Sequence, residues 1–109
     1  MKFGLSDRVL NEINGVFASH PSVEKVVIYG SRAIGTHRNG SDIDLTLFGN
    51  TIDHTEITKI DIELEDLLLP YQFDLSLHSQ IENSELLAHI KDMGKLFYAA
   101  RPKEPGQTE

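Results

Sequence analysis

Cysteine is absent from this chain, which removes disulfides, zinc–cysteine sites and thiol catalysis together. Long apolar runs are absent too, and nothing approaches the ~20 residues that a membrane-crossing helix needs. The N-terminus carries no basic segment followed by an apolar one, so no signal peptide is read. Basic residues are scarce: ten Lys and Arg stand against 17 Asp and Glu, a net charge of −7. A broad hold on nucleic acid depends on phosphates neutralised by Lys and Arg, and this balance disfavours it. A single nucleotide is not excluded, because a triphosphate can be held by a few backbone N–H groups and by metal ions. These absences suit a cytoplasmic protein without a membrane partner.

What is present is ordinary for a globular domain. With 109 residues, 39% apolar and 25% charged, the chain fits one domain around one core. Leu5 to His20 reads as a helix, with Ser6 as N-cap and Val9, Leu10, Ile13, Val16 and Phe17 on one apolar face. Pro21 stops it. Val23 to Tyr29 reads as a strand covered on both faces, since its end is apolar without alternation. Gly30 to Ser41 is a loop, with one helical turn near Ser31–Ile34 and glycine punctuation including Asn39-Gly40. A second strand runs from Ser41 or Asp42 to Phe48, putting Ile43, Leu45 and Leu47 on one face and Asp42, Asp44 and Thr46 on the other. Asp53 to Leu69 is a second long helix. Asp53 and Glu56 match a capping box, Ile57, Ile60, Leu64, Leu67 and Leu68 form the buried stripe, and Pro70 ends it. Its charges, among them Glu56 and Glu63, read as a solvated face. Tyr71 to Leu77 alternates as a third strand, Asn83 to Met93 is a last helix with Leu86, Leu87, Ile90 and Met93 inward and Gly94 as its C-cap, and Lys95 to Ala99 adds an edge strand. Residues 1–100 are thus expected as one domain and 101–109 as a flexible tail. The order is αβ(turn)βαβα plus a short edge strand. The link from Gly30 to Ser41 is too short for a regular crossover helix, so the first two strands are expected to be antiparallel and the sheet mixed.

The polar face of the second strand is the unusual feature. Asp42 and Asp44, spaced i, i+2, lie about 7 Å apart on one side of a strand that rises ~3.3 Å per residue. If the third strand neighbours the second, Asp74 faces them. Three converging carboxylates repel one another and raise each other's pKa unless cations compensate. Such hard oxygen donors suit Mg²⁺, commonly held by one or two carboxylates and completed by substrate phosphates. Two such ions stabilise the attacking and leaving oxygens in nucleotidyl transfer. Gly30-Ser31 supplies the complement: glycine lets backbone approach a phosphate closely, and the Ser31 hydroxyl and Arg32 guanidinium add phosphate contacts. Taken singly, each piece has a plain reading: a turn, a solvated strand end, an exposed aspartate, a surface arginine. Their order and spacing together are specific. His37, Arg38 and His54 are weaker acid–base candidates, and His20, His78 and His89 read as structural, surface or partner-contact residues.

Gly30-Ser31, ten residues, then Asp42-Ile43-Asp44 resembles the signature of the polymerase-β-like nucleotidyltransferase superfamily. The wording Tyr29-Gly30-Ser31-Arg32-Ala33 and Ser41-Asp42-Ile43-Asp44-Leu45, with the short chain, is most similar to the minimal nucleotidyltransferase (MNT) domains. The ending Ile90…Gly94-Lys95-Leu96-Phe97-Tyr98 is similar to that family's closing helix, glycine and strand. The resemblance implies a mixed sheet flanked by helices and a Mg²⁺-dependent transfer of AMP from ATP. It implies Asp42 and Asp44 as metal ligands, Asp74 as the third carboxylate, which orients or deprotonates the accepting hydroxyl, and Gly30 and Ser31 as the hold on the β,γ-phosphates. One departure stands out: many members carry a second arginine where this chain has Ile34. No room remains for an acceptor domain. The resemblance therefore implies a hetero-oligomer with a small all-helical HEPN-domain protein, an RNase-type toxin encoded alongside, which the MNT protein neutralises as an antitoxin by modifying a tyrosine. A contact-only binding module and a small-molecule nucleotidyltransferase are the alternatives.

Overall fold

The computed structural model describes residues 1–100, and the expected tail over Arg101–Glu109 lies outside them. Ser6 opens the first helix, its hydroxyl accepting the Val9 N–H at 3.2 Å, and α1 runs Asp7–Ala18. Strand β1 (Lys25–Tyr29) leads through Gly30 into a single helical turn, α2 (Ser31–Ile34), closed by Gly35 in the left-handed region. Then follow β2 (Ile43–Phe48), α3 (His54–Glu65), β3 (Phe73–Leu77), a 3₁₀ turn (His78–Gln80), α4 (Ser84–Met93) and β4 (Lys95–Ala99).

The four strands form one mixed sheet in the order β3-β2-β1-β4. As expected of the short link, β1 and β2 pair antiparallel, with Tyr29 opposite Asp44. β2 and β3 pair parallel, with Asp44 opposite Asp74. One face of the sheet carries the core: Val26, Ile28, Ile43, Leu45 and Leu47 are buried with Ile13 and Phe17 of α1 and Ile60 and Leu64 of α3. The alternate residues, Val27, Tyr29, Asp44 and Thr46, point to the other face, where α4 lies along β1. Polar residues of β2 are therefore on the layer that, among the described residues, α4 alone covers.

Several local expectations change. Helix α3 ends at Glu65 rather than Leu69, because Leu68 turns into the left-handed region (φ 58°) ahead of Pro70. Leu68 is consequently 88% exposed instead of joining the buried stripe. Asp53 caps α3 by accepting the Glu56 N–H at 2.9 Å, yet the Glu56 carboxylate does not return to Asp53. It accepts from the Ser22 hydroxyl and bonds His20 Nδ1 at 3.0 Å, while Glu63 meets His20 Nε2 at 2.9 Å. Two charges expected in solvent thus fasten α3 to the end of α1. Gly94 follows α4 as expected but with φ −66° and ψ 150°, so left-handed freedom is not why glycine stands there. A Cβ would collide with the Ile90 carbonyl and come within 2.7 Å of Val27 Cγ1. Met93, expected inward, is half exposed.

Candidate active site

The antiparallel register brings the end of β1 against the start of β2, so Gly30 sits beside Asp44. Gly30 takes φ 77° and ψ −156°, a region essentially reserved for glycine. Any Cβ there would run into Asp44 Oδ2, so this position needs glycine for space as well as for backbone. Ser31 follows at half-buried depth as the first residue of α2.

The parallel register of β2 and β3 does for Asp74 what alternation alone could only suggest: it sets Asp74 opposite Asp44 on the same face. Asp42 precedes β2 by one residue and is exposed, as is Asp74, while Asp44 is half buried. Burial, then the charges of Asp74 and Asp42, push the Asp44 carboxyl above its ordinary value. Burial, with Asp74 and Asp44 adding negative charge, likewise pushes the Tyr29 phenol up. Asp44 therefore feels both of the other carboxylates. Among the described residues, however, no three His, Asp or Glu side chains stand ready-made as a metal cage. The two exposed carboxylates make no hydrogen bonds among the described residues that would hold them in place.

Arg32 departs from its expected part. It is 3% exposed, and its Nε and Nη2 donate to the Ser41 carbonyl at 3.1 and 2.9 Å. Nη1 donates to the Phe3 carbonyl at 2.9 Å, and the guanidinium lies 4.9 Å from the centre of the Tyr71 ring. A cation so committed clasps the loop that leads into Asp42. His37 and Arg38 line a separate cleft with Arg32 and Tyr71, and His54 is an exposed first residue of α3. Ile34 is 47% exposed on α2.

His89 is the neighbour that sequence reading missed. Its Nε2 accepts the Gly30 N–H at 3.1 Å, and its ring stands edge-on to Tyr29 with centroids 6.2 Å apart. Helical periodicity could place it on α4, but only the seating of α4 on β1 brings it across 59 positions of sequence to Gly30.

Comparison with known proteins bears on what this arrangement does. No curated protein matched the chain. Its fold resembles a solved toxin–antitoxin with AMP-PNP, at 21% identity and a TM-score of 0.67 over 84% of this chain and 74% of that one. It also resembles the toxin–antitoxin MntA-HepT, at 18% identity and a TM-score of 0.64 over 87% and 74% of the two chains. A third similar structure is the tri-AMPylated Shewanella oneidensis HEPN toxin in complex with MNT antitoxin, at 19% identity, TM-score 0.62, and 88% and 74% coverage. At such identities the likeness is one of fold. The model of the family described as polymerase beta, nucleotidyltransferase matches residues 11–103. That span takes in both carboxylate-bearing strands and the glycine turn ahead of them, and the chain belongs to the polymerase beta nucleotidyltransferase family.

Proposed function

We propose that this protein is a Mg²⁺-dependent adenylyltransferase that moves AMP from ATP onto a hydroxyl of a HEPN-type partner, a tyrosine by preference, and so acts as an antitoxin. The observation that carries the reading is the parallel register that sets Asp74 opposite Asp44, with Asp42 one step away and Gly30 packed on the Asp44 carboxylate. Support comes also from the family and from neighbours described as toxin–antitoxin complexes, one with AMP-PNP and one with an AMPylated HEPN toxin.

The donor set fits a divalent cation: an all-oxygen group in which burial, and then the charges of Asp74 and Asp42, already raise the Asp44 carboxyl. Asp42 and Asp44, joined by Asp74, would hold Mg²⁺, which when bound supplies charge neutralisation at the phosphates. Ser31 holds the β,γ-phosphates from the turn opened by Gly30. Asp74 orients the acceptor hydroxyl and takes its proton as the oxygen attacks the α-phosphorus. A new O–P bond forms, the α–β bridging P–O bond breaks, and pyrophosphate leaves. Arg32 acts from behind, keeping the Ser41 carbonyl and hence Asp42 in place.

Incubation with the HEPN-type partner, α-labelled ATP and Mg²⁺ tests this: label is expected on the partner with the wild type and none with Asp44→Asn. An unlabelled partner beside a demonstrably folded protein overturns it. A contact-only inhibitor is the second reading, favoured by the exposed Ile34 where the resemblance expects arginine. Calorimetry separates the two, since a contact-only inhibitor takes up no Mg²⁺·AMP-PNP that Asp42→Asn abolishes.

A further inference from the structure

Glycine is the residue that its own backbone holds least. It loses more freedom on ordering than any other, and no Cβ restricts its torsions. Gly30 nevertheless sits in one unusual conformation at the centre of the candidate site. Sterics cannot supply that constraint, so it must come from partners on either side.

Two sets of hydrogen bonds do so. The Gly30 carbonyl accepts the Ala33 N–H at 3.1 Å and the Ile34 N–H at 3.3 Å, which ties the Gly30–Ser31 peptide to α2. The Gly30 N–H donates to His89 Nε2 at 3.1 Å, which ties the Tyr29–Gly30 peptide to α4. A trans peptide places its N–H opposite its carbonyl. With the Gly30 carbonyl turned into α2, the Ser31 N–H is turned out of it, and it has no backbone partner among the described residues. Accepting at Nε2 requires that this nitrogen carry no proton, so the ring is held as the Nδ1–H tautomer. The ring itself is fixed edge-on by Tyr29, which is only 8% exposed.

We propose that His89 is a positioning residue for the nucleotide turn: by holding the Gly30 N–H it orients the Gly30–Ser31 peptide so that Ser31, through its N–H and hydroxyl, meets the phosphate. The inference rests on the nucleotide-binding reading above and sharpens it. Gly30 contributes its shape, not its N–H, which His89 already occupies. Helix α4 becomes part of the site although it carries no carboxylate ligand.

The test uses the ¹⁵N-labelled full chain. A trans-hydrogen-bond ¹⁵N–¹⁵N coupling is expected between the Gly30 amide and His89 Nε2. His89→Ala should expose the Gly30 amide to rapid hydrogen exchange and weaken Mg²⁺·AMP-PNP binding about tenfold. His89→Gln, whose amide oxygen can accept the same N–H, should restore protection and bring affinity within about threefold of the wild type. Ile90→Val, a trimmed core contact on the same helix, controls for loosening of α4 and should leave affinity unchanged. An unaltered affinity in His89→Ala, or an equal fall in Ile90→Val, overturns the proposal. If the wild type shows the coupling but binds no Mg²⁺·AMP-PNP, the nucleotide reading itself falls and takes this one with it.

Discussion

Replacing Arg32 by lysine keeps the charge and removes the fork, and the consequence can be worked out from the contacts. The guanidinium satisfies two carbonyls, Ser41 through Nε and Nη2 and Phe3 through Nη1. A hydrogen bond to a charged group is worth about 1.5–3 kcal/mol. The stacking on Tyr71 adds about 0.5–1 kcal/mol. Arg32→Ala should therefore cost about 4 kcal/mol, a large share of the roughly 5–15 kcal/mol that stabilises a domain of this kind. An ammonium can reach one of the two carbonyls but not span both. Arg32→Lys should accordingly lose about 2 kcal/mol, seen as a lower urea midpoint and a Tm down by roughly 10 °C. Nucleotide affinity should fall less than stability does, because the effect reaches Asp42 only through Ser41. A stability loss under about 1 kcal/mol, with Mg²⁺·AMP-PNP binding weakened tenfold, would refute the clasp and return Arg32 to the phosphates.

The Asp44 carboxyl sits above its ordinary value through burial, Asp74 and Asp42, so the folded state holds that proton more tightly than the unfolded one. Its charge thus destabilises the metal-free fold at neutral pH. Asp44→Asn should unfold at higher urea than the wild type at pH 7, the gap should close as pH falls to the unfolded value near 3.8, and added Mg²⁺ should stabilise the wild type alone. His20 runs the other way. Burial lowers it, but bonds to Glu63 and Glu56 outweigh that and raise it, so its contribution is complete below pH 6.5 and fades as pH climbs through the folded value. Comparing wild type with His20→Asn by denaturation across that range should show the difference shrinking with rising pH. Leu68→Gly should gain about 0.5 kcal/mol in the same assay, the relief of a left-handed non-glycine exceeding the entropy it adds to the unfolded chain.

Much of the fold was legible because periodicity, caps and prolines act locally. Ser6, Asp53 and the alternation in β2 and β3 each declare themselves within a few residues, and the short Gly30–Ser41 link was enough to favour the antiparallel pairing that β1 and β2 adopt. The boundaries that failed were those set by conformations no residue type announces: Leu68 is a leucine in a place where glycine is usual. At the site, the aspartates were visible as a spacing, since a strand fixes which side each carboxylate takes. The protein partners of Arg32 and His89 stayed hidden for one reason. An arginine beside Gly-Ser looks the same whether it reaches a phosphate or turns back to Phe3 and Ser41, and a histidine on an amphipathic helix does not say what that helix will rest on. Glu56 and Glu63 were likewise assigned to solvent because His20 lies far away in sequence. Partners that tertiary packing supplies are absent from local pattern.

Gly94 shows how that dependence can work at a distance. It touches no carboxylate and no turn, yet it sets the height of α4 above the sheet, because only a hydrogen fits between the Ile90 carbonyl and Val27. His89 rides on the same helix, about 7.5 Å up the axis at 1.5 Å per residue. A methyl group at Gly94 would act as a shim under one end of a beam, lifting the imidazole off its amide while every residue of the site kept its identity. The glycine is a spacer gauge for chemistry it never meets.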